Sequence, residues 1–297
     1  MIETRDLVKN FGSYTALHDI NCTVQDGCIY GMVGSNGAGK STLLRILAGV
    51  YKADGGTALM DGQPIYENPA SKAQIAYVPD ELYFIGGATM DRMATQYRTL
   101  YHTFDTQRYR ELTAELGLNP KQPISTFSKG MRRQAITVLA LATRPKYIFF
   151  DETFDGMDPV VRSYVKRLIC EDVVDRGATA IITSHSLREL EDTCDQLALI
   201  HRGGMVLESD IQNLKTYQFK IQIAFAQEYD RSKFAGLDVV HFVKHGSVTN
   251  MIVRGERETT LAALQAMNPA LMEVLPLTLE EVFTYEMETL GYTFNLE

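Results

Sequence analysis

Cysteine is scarce in this chain of 297 residues: Cys22, Cys28, Cys170 and Cys194 are dispersed, with no C-x-x-C pair among them. That usage excludes a disulfide-stapled scaffold and reads as reduced thiols in a cytosolic protein. Long apolar runs are missing as well. No uninterrupted stretch approaches the ~20 residues that span a bilayer, and Met1-Ile-Glu-Thr-Arg-Asp6 lacks the apolar core of a secretory signal. Positive charge is neither in excess nor clustered. A net charge of −8 argues against nucleic acid as a partner, and no polybasic stretch offers a membrane anchor. Internal repeats and low-complexity tracts are absent too. The expectation is a soluble chain, so any membrane process it serves needs a partner to supply the membrane part.

What is present suits a globular protein with a sizeable core: 45% of residues are apolar. The length implies one large domain plus an appendage. Four short segments carry the chemistry, in the order Gly34-Ser-Asn-Gly-Ala-Gly-Lys-Ser-Thr42, Phe127-Ser-Lys-Gly-Met131, Phe149-Phe-Asp-Glu152 and Ser184-His185. The first matches G-x-x-x-x-G-K-[ST]. Gly34, Ser35, Asn36, Gly37, Ala38 and Gly39 turn backbone N–H groups inward on a polyanion, and a helix opens at Lys40, Ser41 and Thr42. Lys40 supplies a cation to the β- and γ-phosphates, while the Ser41 hydroxyl is placed for Mg²⁺. The loop follows the apolar strand Cys28–Val33, which is the context such a site needs.

Asp151 and Glu152 end an apolar strand, at the carboxyl edge where parallel sheets gather ligands. There the two acids divide the work. Asp151 is a metal candidate, and Glu152 is a candidate to orient and deprotonate the attacking water. Ser128-Lys-Gly-Met131 begins a helix, because Met131, Ala135, Val138 and Leu139 keep helical spacing. On its own the segment is an N-cap that could bind an anion. A single His185 at the end of the strand Ala180–Thr183 is, by itself, more often structural than catalytic.

Taken together, these segments resemble the ATP-binding cassette (ABC) family over roughly the first 215 residues. The resemblance implies ATP with Mg²⁺, and two cassettes paired head to tail around two nucleotides. The phosphate loop is the family's Walker A, and Phe149–Glu152 its Walker B. Phe127–Met131 is similar to the signature Leu-Ser-Gly-Gly-Gln, with Phe127, Lys129 and Met131 departing from it. Ser128 and Gly130 match, and by resemblance touch the γ-phosphate held by the other subunit. His185 takes the position of the family's switch histidine, and Asp158 in Asp155-Gly-Met-Asp158 that of its D-loop. Phe11 aligns with the aromatic that stacks on adenine, although a plain core Phe fits the sequence too. Ala76-Tyr-Val-Pro-Asp80 departs again: the family usually has Gln where Asp80 stands, and an acid there is a third metal candidate beside Ser41 and Asp151. The Ser-Lys-Gly-Met segment, this acid and the terminal Leu279-Glu-Glu-Val-Phe283 are similar to ATPases of bacterial ABC-2-type exporters of peptides, antibiotics or lipid-linked polymers. The implied partner is a separate transmembrane permease, which would hold the chain on the cytoplasmic face of the membrane. Two other readings are a soluble non-transport ABC ATPase and a regulatory module that binds ATP without turnover; no tandem cassette or long coiled coil supports the former.

The expected fold is α/β: a RecA-like P-loop NTPase core at 1–215 with an antiparallel β subdomain, a helical subdomain at about 83–140, and a small α/β appendage at 216–297. The spacing places Leu43, Leu44, Leu47 and Val50 on one helix face. It likewise puts Tyr97, Leu100, Tyr101 and Phe104 on another. Thr57–Met60 with Asp61-Gly62 reads as a hairpin arm. Tyr217, Phe219, Ile221, Ile223 and Phe225 read as a half-buried strand, and 239–253 as a hairpin turning near Gly246-Ser247. Thr278–Glu281 fits a capping box before a helix with Leu279, Val282, Phe283 and Leu290 on one face.

Overall fold

The computed structural model describes residues 1–289, which fall into two compact units, Met1–Glu208 and the remainder from Ser209. The first unit opens with antiparallel strands β1 (Ile2–Phe11) and β2 (Tyr14–Val24), then passes through β3 (Ile29–Val33) into helix α1 (Lys40–Leu47). Strands β4 (Gly55–Met60) and β5 (Gln63–Pro64) return to the first sheet, whose order is β2-β1-β4-β5. Asp61 and Gly62, both at positive φ (50° and 76°), make the turn between them. Such a turn matches the twist of a hairpin. The short helix α2 (Pro69–Lys72) leads to β6 (Ile75–Val78).

A helical region follows: α3 (Met90–Leu100), α4 (Thr106–Glu115), a 3₁₀ turn at Ile124–Thr126 and α5 (Lys129–Ala142). The chain then alternates β7 (Tyr147–Asp151), α6 (Pro159–Arg176), β8 (Thr179–Ser184), α7 (Leu187–Glu191), β9 (Gln196–His201) and β10 (Gly204–Asp210). The resulting sheet has the order β10-β9-β3-β8-β7-β6, with β9, β3, β8, β7 and β6 parallel. Every residue of β3, β7 and β8 is buried. A parallel sheet covered on both faces demands such continuous apolar runs. Strand β2 alternates instead, with Ile20, Cys22 and Val24 inside and Asn21 outside.

Three expectations are corrected. Helix α1 stops at Leu47, where Gly49 takes a φ of 67°, so Val50 lies past the helix and is exposed. Helix α3 starts only at Met90, capped by the Thr89 hydroxyl, and buries Met90, Met93 and Ala94. Tyr101 already leaves helical geometry (φ −114°, ψ 106°), which carries Phe104 out of the period and leaves Leu100 exposed. Tyr217 is also exposed, because it closes a helix and the strand begins one residue later.

The second unit comprises α8 (Ile211–Tyr217), β11 (Gln218–Ala224), β12 (Asp238–His245), β13 (Val248–Arg254), α9 (Arg257–Ala266), β14 (Leu271–Leu275) and α10 (Leu279–Thr289). Its antiparallel sheet runs β12-β13-β11-β14. Phe219, Ile221 and Ile223 meet Phe234, Met251, Val253 and Leu264 in a core of their own. The division between units precedes the expected 215/216 boundary because Asp210 caps α8, and α8 packs on β11 and α10. The capping box is formed reciprocally: the Thr278 N–H donates to Glu281 Oε2 (3.1 Å) and the Glu281 N–H to Thr278 Oγ1 (3.2 Å). Leu279, Val282 and Phe283 are buried, while Leu290 lies outside the described residues.

Asp61 does more than turn a hairpin. Burial works against its charge, but hydrogen bonds from Lys146, the Met1 amino group and Tyr147 outweigh it and lower the pKa from 3.8 to about 2. A carboxyl whose pKa falls on folding stabilises above its unfolded pKa, and that contribution is lost as pH drops through the folded value. Asp61→Asn should therefore lower stability by about 1 kcal/mol at pH 7, allowing for solvent screening of a partly exposed group. Urea titrations should show the deficit shrinking between pH 4 and pH 2; a deficit independent of pH would assign it to the turn alone.

Candidate functional site

The site begins where β3 ends. A Cβ at Gly34 would sit 2.3 Å from the Ile200 carbonyl oxygen, so only glycine lets the chain leave the sheet there. Gly39, at φ 111°, packs as tightly: its Cβ would meet Leu17 Cδ2 at 2.7 Å. Helix α1 opens immediately after, turning its unpaired N–H groups toward the Gly34–Gly39 loop. Lys40 is buried, and its ammonium donates to the Gly34 carbonyl (2.6 Å) and the Ser35 carbonyl (3.2 Å) while lying 3.1 Å from Glu152 Oε1.

Asp151, the last residue of β7, is fully buried. Its Oδ1 accepts from Ser41 Oγ (2.8 Å) and Thr183 Oγ1 (2.9 Å), and its Oδ2 from the Tyr77 hydroxyl (3.0 Å). Burial and the neighbouring Asp151 charge push the Tyr77 phenol well above its ordinary range, so it remains a donor. Glu152 turns away from the strand at φ 46°. Its N–H donates to Thr183 Oγ1 (3.0 Å), and its carbonyl accepts from Arg133 Nη1. The carboxylate then lies between two nitrogens, Lys40 Nζ at 3.1 Å from Oε1 and His185 Nδ1 at 3.0 Å from Oε2. His185 itself is half exposed, just past the end of β8.

A cleft of about 280 Å³ gathers Phe11, Tyr14, Ala16, the loop from Asn36 to Thr42, Asp80 and Glu152. Phe11 is 44% exposed and packs edge-on against Tyr51, so it is a rim residue and not a core Phe. Asp80 reaches the cleft but is paired with Arg133, its Oδ1 accepting from Nη2 at 2.7 Å. Ser128, Gly130 and Asp158 do not line this cleft. Ser128 caps α5, its Oγ accepting from the Met131 N–H (3.2 Å), and Asp158 caps α6 by accepting from the Val160 N–H (2.9 Å). A Cβ at Gly130 would lie 3.3 Å from the Gly156 carbonyl oxygen, so the start of α5 passes close to the loop before α6.

Three residues that hold the site escaped the sequence reading. Thr183 bridges Asp151 and the Glu152 backbone, and Tyr77 completes the Asp151 shell. Tyr77 is the one hydroxyl in β6, and Thr183 stands with Thr179 and Ser184 in an otherwise apolar β8; those hydroxyls are the signal available. Arg133 is 2% exposed; a charge facing the interior side of α5 was its trace in the sequence.

Comparison with known proteins agrees with this architecture. The sequence pattern described as ABC transporter matches residues 17–155. The ABC transporter ATP-binding protein YtrB of Bacillus subtilis is 31% identical over 283 residues, covering 95% of this chain and 97% of YtrB. The daunorubicin/doxorubicin resistance ATP-binding protein DrrA of Streptomyces peucetius is 32% identical over 226 residues, 72% of this chain and 67% of DrrA. The lantibiotic transport ATP-binding protein SrtF of Streptococcus pyogenes is 29% identical over 76% of this chain and 98% of its own length. Among solved structures, an ATP-binding subunit of an ABC transporter superposes with a TM-score of 0.67 at 23% identity, over 72% of this chain and 92% of the other. The dimeric ATP-binding cassette MJ0796 bound to ADP and phosphate does so at 0.65 and 18%, over 71% and 99%. Among the described residues no helix is long and apolar enough to cross a membrane. With a relative matched along nearly its whole length, and a phosphate loop facing an acid at the edge of a parallel sheet, the chain belongs to the ABC transporter family as an ATP-binding, ATP-hydrolysing subunit.

Proposed function

We propose that this subunit pairs with a second copy of itself around two Mg·ATP and energises a separate transmembrane permease, in the direction of export. The observation that carries the chemistry is Glu152, held in the cleft between Lys40 and His185. In this reading the loop amides and Lys40 take the phosphates, and Phe11 stacks on the adenine. Glu152 accepts the proton of the attacking water, and His185 holds Glu152 and the phosphate end of the substrate in register. Ser41 and Asp151 would hold Mg²⁺, with Asp80 as a third oxygen. Their hard oxygen donors fit that ion. Mg²⁺ is usually bound through one or two carboxylates plus substrate phosphates, which is the donor set these residues would offer. When bound, Mg²⁺ supplies neutralisation of charge on the transferred phosphoryl group.

Ser128, Gly130 and Asp158 stand outside the cleft of their own subunit, and in the paired assembly they would meet the nucleotide of the other. Export is supported by the names of DrrA and SrtF, a drug-resistance and a lantibiotic-transport protein; a peptide, antibiotic or lipid-like cargo follows from the same likeness. Membrane attachment on the cytoplasmic face would come through the permease. Tyr83 is 84% exposed beside half-buried Phe84 and Ile85, and a large apolar side chain in that setting suits a docking contact.

Glu152→Gln keeps shape but removes the base, so steady-state ATPase should fall ~10²–10⁴-fold with ATP binding intact and a dimer accumulating on size exclusion. Turnover near the wild-type rate would remove Glu152 from this role. Ser128→Arg should abolish turnover yet leave ATP binding by the monomer unchanged; a binding loss as large as that of Lys40→Ala would put Ser128 in the site of its own subunit. Tyr83→Ala should leave basal ATPase unchanged and weaken co-purification with the permease from detergent. Undiminished co-purification and stimulation would show that the contact lies elsewhere.

A further inference from the structure

Arg133 is the residue whose environment the reaction does not yet explain. Its guanidinium is almost wholly buried, and an isolated buried charge costs several kcal/mol. Two acceptors answer it. Nη2 donates to Asp80 Oδ1 at 2.7 Å, and Nη1 donates to the carbonyl of Glu152. Asp155 Oδ2 stands further off, at 3.9 Å, and Nε has no hydrogen-bond partner. The fork is aimed at a side chain on one element and a peptide on another.

The peptide is the unusual one. Glu152 is a non-glycine residue at φ 46°, a conformation that costs roughly 1–2 kcal/mol for an L-residue. It persists where surrounding groups over-determine it. On one side Thr183 Oγ1 accepts the Glu152 N–H (3.0 Å); on the other, Arg133 holds the Glu152 carbonyl, which also accepts weakly from the Asp155 N–H (3.3 Å). That pinned turn is what swings the carboxylate out of the strand line to lie between Lys40 and His185. Asp80 meets whatever enters the cleft, and Arg133 does not line it. The ion pair is therefore a mechanical link from one cleft-lining acid, Asp80, to the backbone of another, Glu152.

We propose that Arg133 is a positioning residue for Glu152, and that Asp80 sets where Arg133 stands. This rests on the reading of Glu152 as the base. A planar fork can serve a carboxylate and a carbonyl together, whereas a lysine ammonium is a point charge on a flexible stem. Arg133→Met leaves Asp80 without its partner, a change that is costly where the remaining charge is buried, but the Asp80 carboxylate is about half exposed and water can take the place of the guanidinium, so folding and positioning can be read separately. Full-length Arg133→Met should remain cooperatively folded with a somewhat lowered melting temperature, yet lose at least about tenfold in kcat at a temperature where it is folded, a change of 1.36 kcal/mol in barrier. Its KM for ATP should stay within about threefold, because the groups that would bind ATP are untouched. Wild-type kcat in folded Arg133→Met would overturn the proposal.

If that variant does not fold, the cycle of Asp80→Asn, Arg133→Lys and the double variant decides. Residues acting as one link should be strongly non-additive, the double being no slower than Arg133→Lys alone. Additive losses would overturn the link. Glu152→Gln, assayed alongside, separates the two failures. An inactive Glu152→Gln beside a full-rate Arg133→Met removes only the positioning role. A fully active Glu152→Gln removes the reading on which that role rests.

Discussion

Strand β7 ends on two adjacent carboxylates, and the arrangement of the cleft follows from keeping them apart. Two such charges about 4 Å apart repel by roughly 4 kcal/mol at the effective dielectric of a protein surface. Asp151 stays in the strand line and takes three hydroxyl donors, from Ser41, Thr183 and Tyr77. Glu152 leaves that line through a left-handed turn and ends beside the Lys40 ammonium. One acid is saturated with neutral donors and the other is matched to a cation. The two neighbouring acids therefore do not compete for the same partners.

The sheet makes this division possible because its central strands finish level. In the parallel register Val33 lies opposite Ser184, and Asp151 opposite Thr183. The phosphate loop, the acid pair and His185 therefore leave β3, β7 and β8 at the same height, at the carboxyl edge of the sheet. A slip of one residue between β7 and β8 would turn every side chain on that strand to the opposite face. Thr183 marks the observed register, donating to Asp151 Oδ1 and accepting the Glu152 N–H across the two strands.

The parts of this design that were legible from sequence are those encoded locally. The glycine loop, Asp151–Glu152 after an apolar run, and the Thr278–Glu281 box each announce themselves within a few residues. What stayed hidden depends on partners far along the chain. Tyr77 serves a residue 74 positions later, and nothing in the string around it records that. Arg133 looks like one of three ordinary basic residues early in a helix, until the fold turns it inward. Val50 and Leu100 failed for a different reason: a helical period continued on paper past the residues where Gly49 and Tyr101 end the helix. The two units divide at Glu208/Ser209, where Asp210 starts a helix that packs forward, ahead of the visible change in texture at the following strand.

The two exposed helix caps, Ser128 and Asp158, look equivalent to the helices they begin, since either side chain accepts one N–H. To an approaching molecule they are opposites. A serine that caps with a lone pair still has a proton to give, whereas an aspartate offers only negative charge. An Asp at position 128 would preserve the helix and repel a phosphate; a Ser at 158 would preserve the helix and lose an anchor for a cationic or N–H partner. Helix stability is thus nearly blind to these two choices, and what separates them is the chemistry each cap presents to an approaching molecule.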